Sequence, residues 1–195
     1  MRTPVASLAG ILSGLPLRRS GLALLAVIAL AVAGCGNEEE ATPEAVEGEP
    51  LELDDELLYN VSITRFLNPN IVEDEAYLEG APEEPQGMTY MGVFLQIKNE
   101  NDEEEIPSAQ NYAVIDGSHQ VYRPVEDVET PFSLDVGAPV PPEGQIPALD
   151  TVASAGPTQG ALLLFLVSDD VSEERPLELR VSSVIGGEGM IELDI

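Results

Sequence analysis

The sequence predicts an all-β domain built as two antiparallel sheets packed face to face, and three observations carry that prediction. Apolar residues alternate with polar ones through Tyr59, Val61 and Ile63, through Met91, Val93, Leu95 and Ile97, and through Leu177, Leu179 and Val181. A two-residue period is that of a strand with one face buried. Turn-forming residues separate the runs, as in Asn99-Glu100-Asn101-Asp102 and Asp116-Gly117-Ser118. From Leu57 onward no amphipathic stripe of helical period exceeds two turns, so about seven strands account for the apolar residues.

The chain opens differently. Residues 1–34 contain no acid, place Arg2, Arg18 and Arg19 ahead of an apolar run from Gly21 to Ala33, and end on small residues. That pattern predicts a signal peptide. The apolar run is shorter than the ~20 residues of a comfortable membrane span. Val32-Ala33-Gly34-Cys35 is similar to the bacterial lipobox, in which a transferase joins diacylglycerol to the cysteine thiol and a peptidase cuts before it. Cys35 is therefore the expected lipidated N-terminus, and acyl chains contributing ~0.8 kcal/mol per buried methylene would anchor it to the membrane. An uncleaved anchor, or a secretory signal with an accidental cysteine, is the alternative. Against it, the chain's single cysteine stands where the lipobox requires one. Arg18-Arg19 leaves twin-arginine export as a second route, although Ser20 and Gly21 follow where that motif has hydrophobic residues.

Residues 36–56 hold ten acids, no base and two prolines. A segment so charged and so poor in large apolar groups is expected to stay disordered, so 35–56 reads as the lipidated cysteine and an acidic tether. Over the full 195 residues, 36 acids face 8 bases. Every acid, but only Arg65, Lys98, Arg123, Arg175 and Arg180 among the bases, lies beyond the leader, which leaves a net charge of −31. Such a polyanion is not expected to bind nucleic acid, which requires clustered Lys and Arg. It is also repelled by anionic headgroups, so acyl chains and not the protein surface must hold it to the membrane.

The sandwich is expected over 57–195. Tyr59, Val61 and Ile63 open it, and residues 88–98 continue with Met91, Val93, Leu95 and Ile97 on one face and Phe94, Gln96 and Lys98 on the other. Tyr112–Ile115 and Gln120–Tyr122 flank Asp116-Gly117-Ser118 and read as a hairpin, the Asp-Gly pair supplying positive φ angles. Pro124–Pro157 contains seven prolines and scattered apolar residues such as Phe132, Leu134, Val136 and Ile146. Proline denies ladder hydrogen bonds, so this stretch is expected to be a long loop or an edge extension. Ala161–Val167 is continuously apolar, which fits a central strand buried on both faces, although its periodicity alone would allow a short helix. Alternation at Leu177–Val181 and at Ile191–Ile195 predicts the last two strands.

Several of these segments together resemble a known family. They are Val93-Phe94-Leu95-Gln96-Ile97-Lys98-Asn99, an acidic turn, Tyr112-Ala113-Val114-Ile115-Asp116-Gly117 with Tyr122, and Gly160-Ala161-Leu162-Leu163-Leu164-Phe165. The set resembles the bacterial extracytoplasmic immunoglobulin-like lipoprotein domain of unknown function, the telomeric-repeat-binding-factor-2-like immunoglobulin-like family. The resemblance implies an immunoglobulin-like antiparallel β-sandwich of about seven strands on a lipid stalk. It brings no catalytic residue with it.

No constellation of residues points to catalysis, and no cofactor is expected. Ser118 and His119 are adjacent, and neighbours in a strand face opposite ways, so they are poorly placed as nucleophile and base. His119 reads as a surface histidine. Met88, Met91 and Met190 with His119 have copper-compatible donors but lack compact spacing. The acid runs Glu73-Asp74-Glu75, Asp102-Glu103-Glu104-Glu105, Asp169-Asp170 and Glu173-Glu174 match no calcium loop and read as solvated charge. The expected function is noncatalytic recognition outside the cytoplasmic membrane, of a protein, a cationic peptide or a cell-wall glycan, with 124–157 the favoured contact. A calcium-dependent binding module and a cell-envelope hydrolase with an unrecognised carboxylate pair are the alternatives.

Overall fold

Alternation in the sequence becomes pairing in space. The computed structural model describes residues 42–53, 56–184 and 186–195. These fall within one compact unit, Glu40–Ile195. Cys35 and the expected signal peptide lie outside the described residues.

In chain order the elements are β1 (Glu44–Val46), β2 (Leu51–Leu53), β3 (Leu57–Leu67), α1 (Val72–Glu75), β4 (Met88–Asn99), β5 (Ile106–Pro107), β6 (Asn111–Ile115) and β7 (Val121–Tyr122). Then come β8 (Pro139–Val140), β9 (Gln145–Ile146), α2 (Val152–Ala155), β10 (Ala161–Ser168), β11 (Leu177–Ser182) and β12 (Glu188–Leu193). One sheet has the order β1-β12-β11-β6-β7 and the other β10-β4-β3-β2, with β9 also paired to β4. β5 and β8 form a small separate ladder. Pairing is antiparallel throughout except for β1 and β12, which run parallel.

Stripped of its additions, the order β3-β4-β10 opposite β7-β6-β11-β12 matches the A-B-E and C′-C-F-G strands of an immunoglobulin domain. The chain after β7 runs beside β10 through bridges Pro124 to Phe165 and Ser133 to Leu162, in the place of strand D. The fold is thus an immunoglobulin-like antiparallel β-sandwich.

The inner faces of both sheets supply one core. Met91, Val93, Leu95 and Ile97 of β4 and Leu163, Phe165 and Val167 of β10 meet Val114, Leu179, Val181 and Ile191 from the other sheet. Each such side chain contributes about 1.5–3 kcal/mol by leaving water. β4 and β10 are also apolar on their outer faces, where Tyr90, Phe94, Leu162 and Leu164 join Leu67 and Tyr77 in a second cluster. Two insertions cover that cluster: the α1 region contributes Tyr77 and Leu78, and the chain after β7 contributes Val125, Val128 and Phe132. Tyr77 meets Phe94 edge-on at 5.2 Å and Phe132 at 4.6 Å between ring centroids.

An ion pair fastens the α1 insertion. Arg65 Nη2 lies 2.7 Å from Asp74 Oδ1, and the Asn68 N–H donates to Asp74 Oδ2 at 2.9 Å. The guanidinium also sits 5.5 Å from the Tyr77 ring and 5.7 Å from the Phe94 ring. Asp74 is only 3% exposed, so its charge is stabilised by these partners and not by water.

The structure departs from the sequence reading at several points. Ile63, expected on the buried face with Tyr59 and Val61, is 39% exposed, because a bulge between Val61 and Ile63 shifts the register against β4 and turns Thr64 inward instead. The expected tether over 36–56 holds a folded part: Leu51 and Leu53 are 2% and 3% exposed and belong to the main core. Two well-spaced leucines in an acidic stretch are enough to seat a strand when a sheet edge waits for them. The Glu47 carboxylate then joins the two sheets, accepting the Thr64 N–H at 3.0 Å and the Asp194 N–H at 3.1 Å. β10 is not a central strand; it ends its sheet, with residues 124–134 across its outer edge. In the β6–β7 turn the positive φ falls on His119, at 68°, while Gly117 is required for space, since a Cβ there would collide with the Arg175 carbonyl.

A chain starting at residue 42 should therefore fold as a stable domain, and one starting at Leu57 should be far weaker. Within the longer chain Leu51→Ala should cost about 2–5 kcal/mol by denaturant unfolding, whereas Val46→Ala, at an exposed site, should change stability by no more than about 0.5 kcal/mol.

Candidate functional site

The residues singled out in the sequence do not converge. His119 is exposed at the tip of the β6–β7 turn. Met91 is fully buried in the sandwich core, whereas Met88 and Met190 are half-buried on strands of different sheets. Among the described residues no three His, Cys, Asp or Glu side chains gather as a metal cage. The 73–75 run is not all solvated charge as expected: Asp74 is buried and paired with Arg65, because its place within the α1 insertion puts a guanidinium beside it, while Glu73 and Glu75 stay exposed. The 102–105 run is a turn organised by two asparagines: Asn101 Oδ1 accepts the Glu103 and Glu104 N–H groups at 2.8 and 2.6 Å, and Asn99 Nδ2 donates to the Glu104 and Val140 carbonyls at 2.9 and 3.0 Å.

Asp116 has a structural task. Its Oδ1 accepts the Ser118 N–H at 2.9 Å, the Ser118 hydroxyl at 2.7 Å and the Gln120 N–H at 2.9 Å. Its Oδ2 accepts the Tyr122 hydroxyl at 3.0 Å. Burial alone would raise the pKa of this carboxyl, but the donors from Ser118, Gln120 and Tyr122 outweigh it and hold the group below the usual aspartate value. Burial, and then the bond to Asp116, pushes the Tyr122 hydroxyl up to about 12. The network fixes the turn and leads into Arg123, which lines the groove described below.

That groove has a volume of about 820 Å³ and lies between the start of β6 and the chain from Arg123 to Val136. Gln110 and Asn111 offer amides, Arg123 a guanidinium, and Glu126, Asp127 and Asp135 carboxylates. Arg123 is exposed and makes no ion pair among the described residues. Asp127 has a positive φ of 60°, a conformation that costs free energy at most residues and concentrates at ligand sites and turns. The far wall is held in shape by Ser133, whose hydroxyl donates to the Val128 carbonyl at 3.0 Å and accepts the Thr130 N–H at 3.0 Å. Beneath it the Val125 N–H donates to Leu164 O at 2.7 Å and the Leu134 N–H to Leu162 O at 2.9 Å.

Residues 124–157 thus divide between two roles. Phe132 and Leu134 are packed away while covering the edge of β10, and Ile146 sits in β9 beside β4. Only the part up to Val136 lines the groove, together with Gln110, Asn111 and Arg123, which lie outside that stretch. Arg123 carried a signal in the sequence: it is one of five bases beyond the leader and follows directly on a strand.

No protein-family model matches the chain, and no curated protein matches it. Among solved structures, an uncharacterised β-sandwich protein of Clostridium difficile 630 is similar at 18% identity, over 80% of this chain and 97% of that one, with a TM-score of 0.48. The yjhA protein of Bacillus subtilis is similar at 10% identity, over 77% and 99%, also at 0.48. The immunoglobulin-like assignment stands on this chain's own strand order.

Asp116→Asn tests the turn. A carboxyl that is more acidic folded than unfolded contributes stability in full above the ordinary aspartate range near ~4, and loses it as pH falls through the lower folded value. The substitution should therefore cost about 2 kcal/mol at neutral pH, and melting curves of wild type and variant should draw together as the pH is lowered into the acid range.

Proposed function

We propose that this chain is a lipid-anchored extracytoplasmic binding module that recognises its ligand without chemical turnover. The observation that carries the proposal is the groove of about 820 Å³, lined by amides, carboxylates and one unpaired guanidinium on a rigid sandwich. Its size is within the ~300–1,000 Å³ of ligand sites. Amide and guanidinium donors together with carboxylate acceptors in one groove suit vicinal hydroxyls, so an uncharged cell-wall glycan is the favoured ligand; a cationic peptide is the second, favoured by the carboxylates. The anchor is Cys35, supported by its lipobox-like surroundings and by the likeness of the Lys98-Asn99 and Asp116-Gly117 motifs to extracytoplasmic lipoprotein domains.

Such an anchor would have a limited reach to the folded domain. Seven peptide units join Cys35 to Thr42, the first described residue, and fully extended they span at most about 25 Å.

The test is titration of the domain with N-acetylglucosamine oligomers and, separately, with a Lys-rich peptide, for wild type and Arg123→Ala. Saturable glycan binding that falls about tenfold or more in the variant supports the reading, and turnover of either ligand by the pure domain would contradict it. Cys35→Ala in the full chain should release the protein from membranes or leave the precursor uncut, as read by fractionation and intact mass.

A further inference from the structure

The two outer faces of the sandwich are unequal. The outside of the β10-β4-β3-β2 sheet is covered by a second apolar layer, and no such layer lies over the outside of the β1-β12-β11-β6-β7 sheet among the described residues. Register places Val46, Glu192, Glu178, Ile115 and Val121 in one row across that open face. Val46 and Val121 are exposed there, and Ile115 is half-buried.

Within the row, Glu178 stands directly opposite Glu192. Like charges in that position work against the sheet. A fold free to choose would set a lysine against one of them. Instead neither carboxylate has a salt bridge among the described residues, and nor does Arg180 one step away. Glu44 and Glu49 complete an anionic hollow of about 190 Å³ walled by Ala45, Val46 and Met190. The exposed sheet face therefore combines exposed apolar side chains with a row of carboxylates that make no salt bridge among the described residues, with Arg180 as the cation beside them.

We propose that this open sheet face docks a basic partner protein, through an extended segment whose Lys or Arg side chains meet the Glu178–Glu192 row while its apolar residues cover Val46, Ile115 and Val121. Charge complementarity selects that occupant. A second copy of the chain would bring another strongly negative surface, at −31 beyond the leader, and an anionic membrane would be repelled in the same way. The surface is separate from the groove and does not depend on what the groove binds.

The experiment uses a fluorescent alternating Lys-Val hexapeptide at physiological ionic strength, read by anisotropy, with amide chemical shifts to locate the contact. Three forms are compared: wild type, Glu178→Gln/Glu192→Gln, and a control with the same change of charge, Glu103→Gln/Glu104→Gln. The face variant should lose about tenfold in affinity and the control less than about twofold, with the wild-type shifts centred on β11 and β12. Relief of the opposed carboxylates should hold or raise the melting temperature of the face variant, so lost binding is not lost folding. Glu126→Gln/Asp135→Asn, which removes two groove carboxylates, should bind the peptide within about twofold of wild type, which separates this surface from the groove; a tenfold loss there would place the peptide in the groove and overturn the proposal. Equal losses in the face variant and the control, shifts centred elsewhere, or dimerisation through the face would each overturn the proposal.

Discussion

Burial of β4 and β10 on both faces is the constraint on which the rest of the structure depends. An ordinary sandwich sheet turns one face to water, and here both faces of this pair are apolar. The outer face needs a cover. The α1 insertion and the chain from Pro124 to Leu134 provide it, and the second of these becomes the wall of the groove. Stability and the candidate site are linked through Leu162 and Leu164, which pack against the cover and whose carbonyls receive its N–H groups. The groove keeps its shape because the sheet beneath it would otherwise expose its apolar face.

Strands with one buried face were the legible part of the chain. Leu177, Leu179 and Val181 all point into the core, as alternation required, and Met91, Val93, Leu95 and Ile97 do the same. Ala161–Val167 was legible as a strand buried twice over, but its place in the sheet was not, because nothing local says which strand will lie at an edge. Phe94 looked like part of an otherwise polar face with Gln96 and Lys98, and the cover brought by two insertions, Tyr77 from one and Phe132 from the other, explains its burial. The hairpin was legible at Asp116-Gly117 for a different reason from the one its dipeptide offers: Asp116 organises the turn by its side chain, and Gly117 makes room for a neighbouring backbone.

The N-terminal stretch shows how composition can hide a strand. Ten acids over 36–56 argue for disorder on average, yet Leu51 and Leu53 have the spacing of a strand, and β3 and β12 supply edges for β2 and β1. A few buried contacts outweigh the repulsion of carboxylates that stay in water. The candidate site was the least legible of all. Its residues come from two separate stretches, and residues such as Gln110 and Asn111 carry no pattern of their own.

Amide hydrogen exchange on the folded domain tests the central claim, that the groove wall is a layer of the sandwich and not a loose loop. The amides of Val125 and Leu134, bonded to the outer edge of β10, should exchange about as slowly as Leu162 in the strand itself. Exchange of Val125 and Leu134 at the rate of open chain, with Leu162 still protected, would contradict the account.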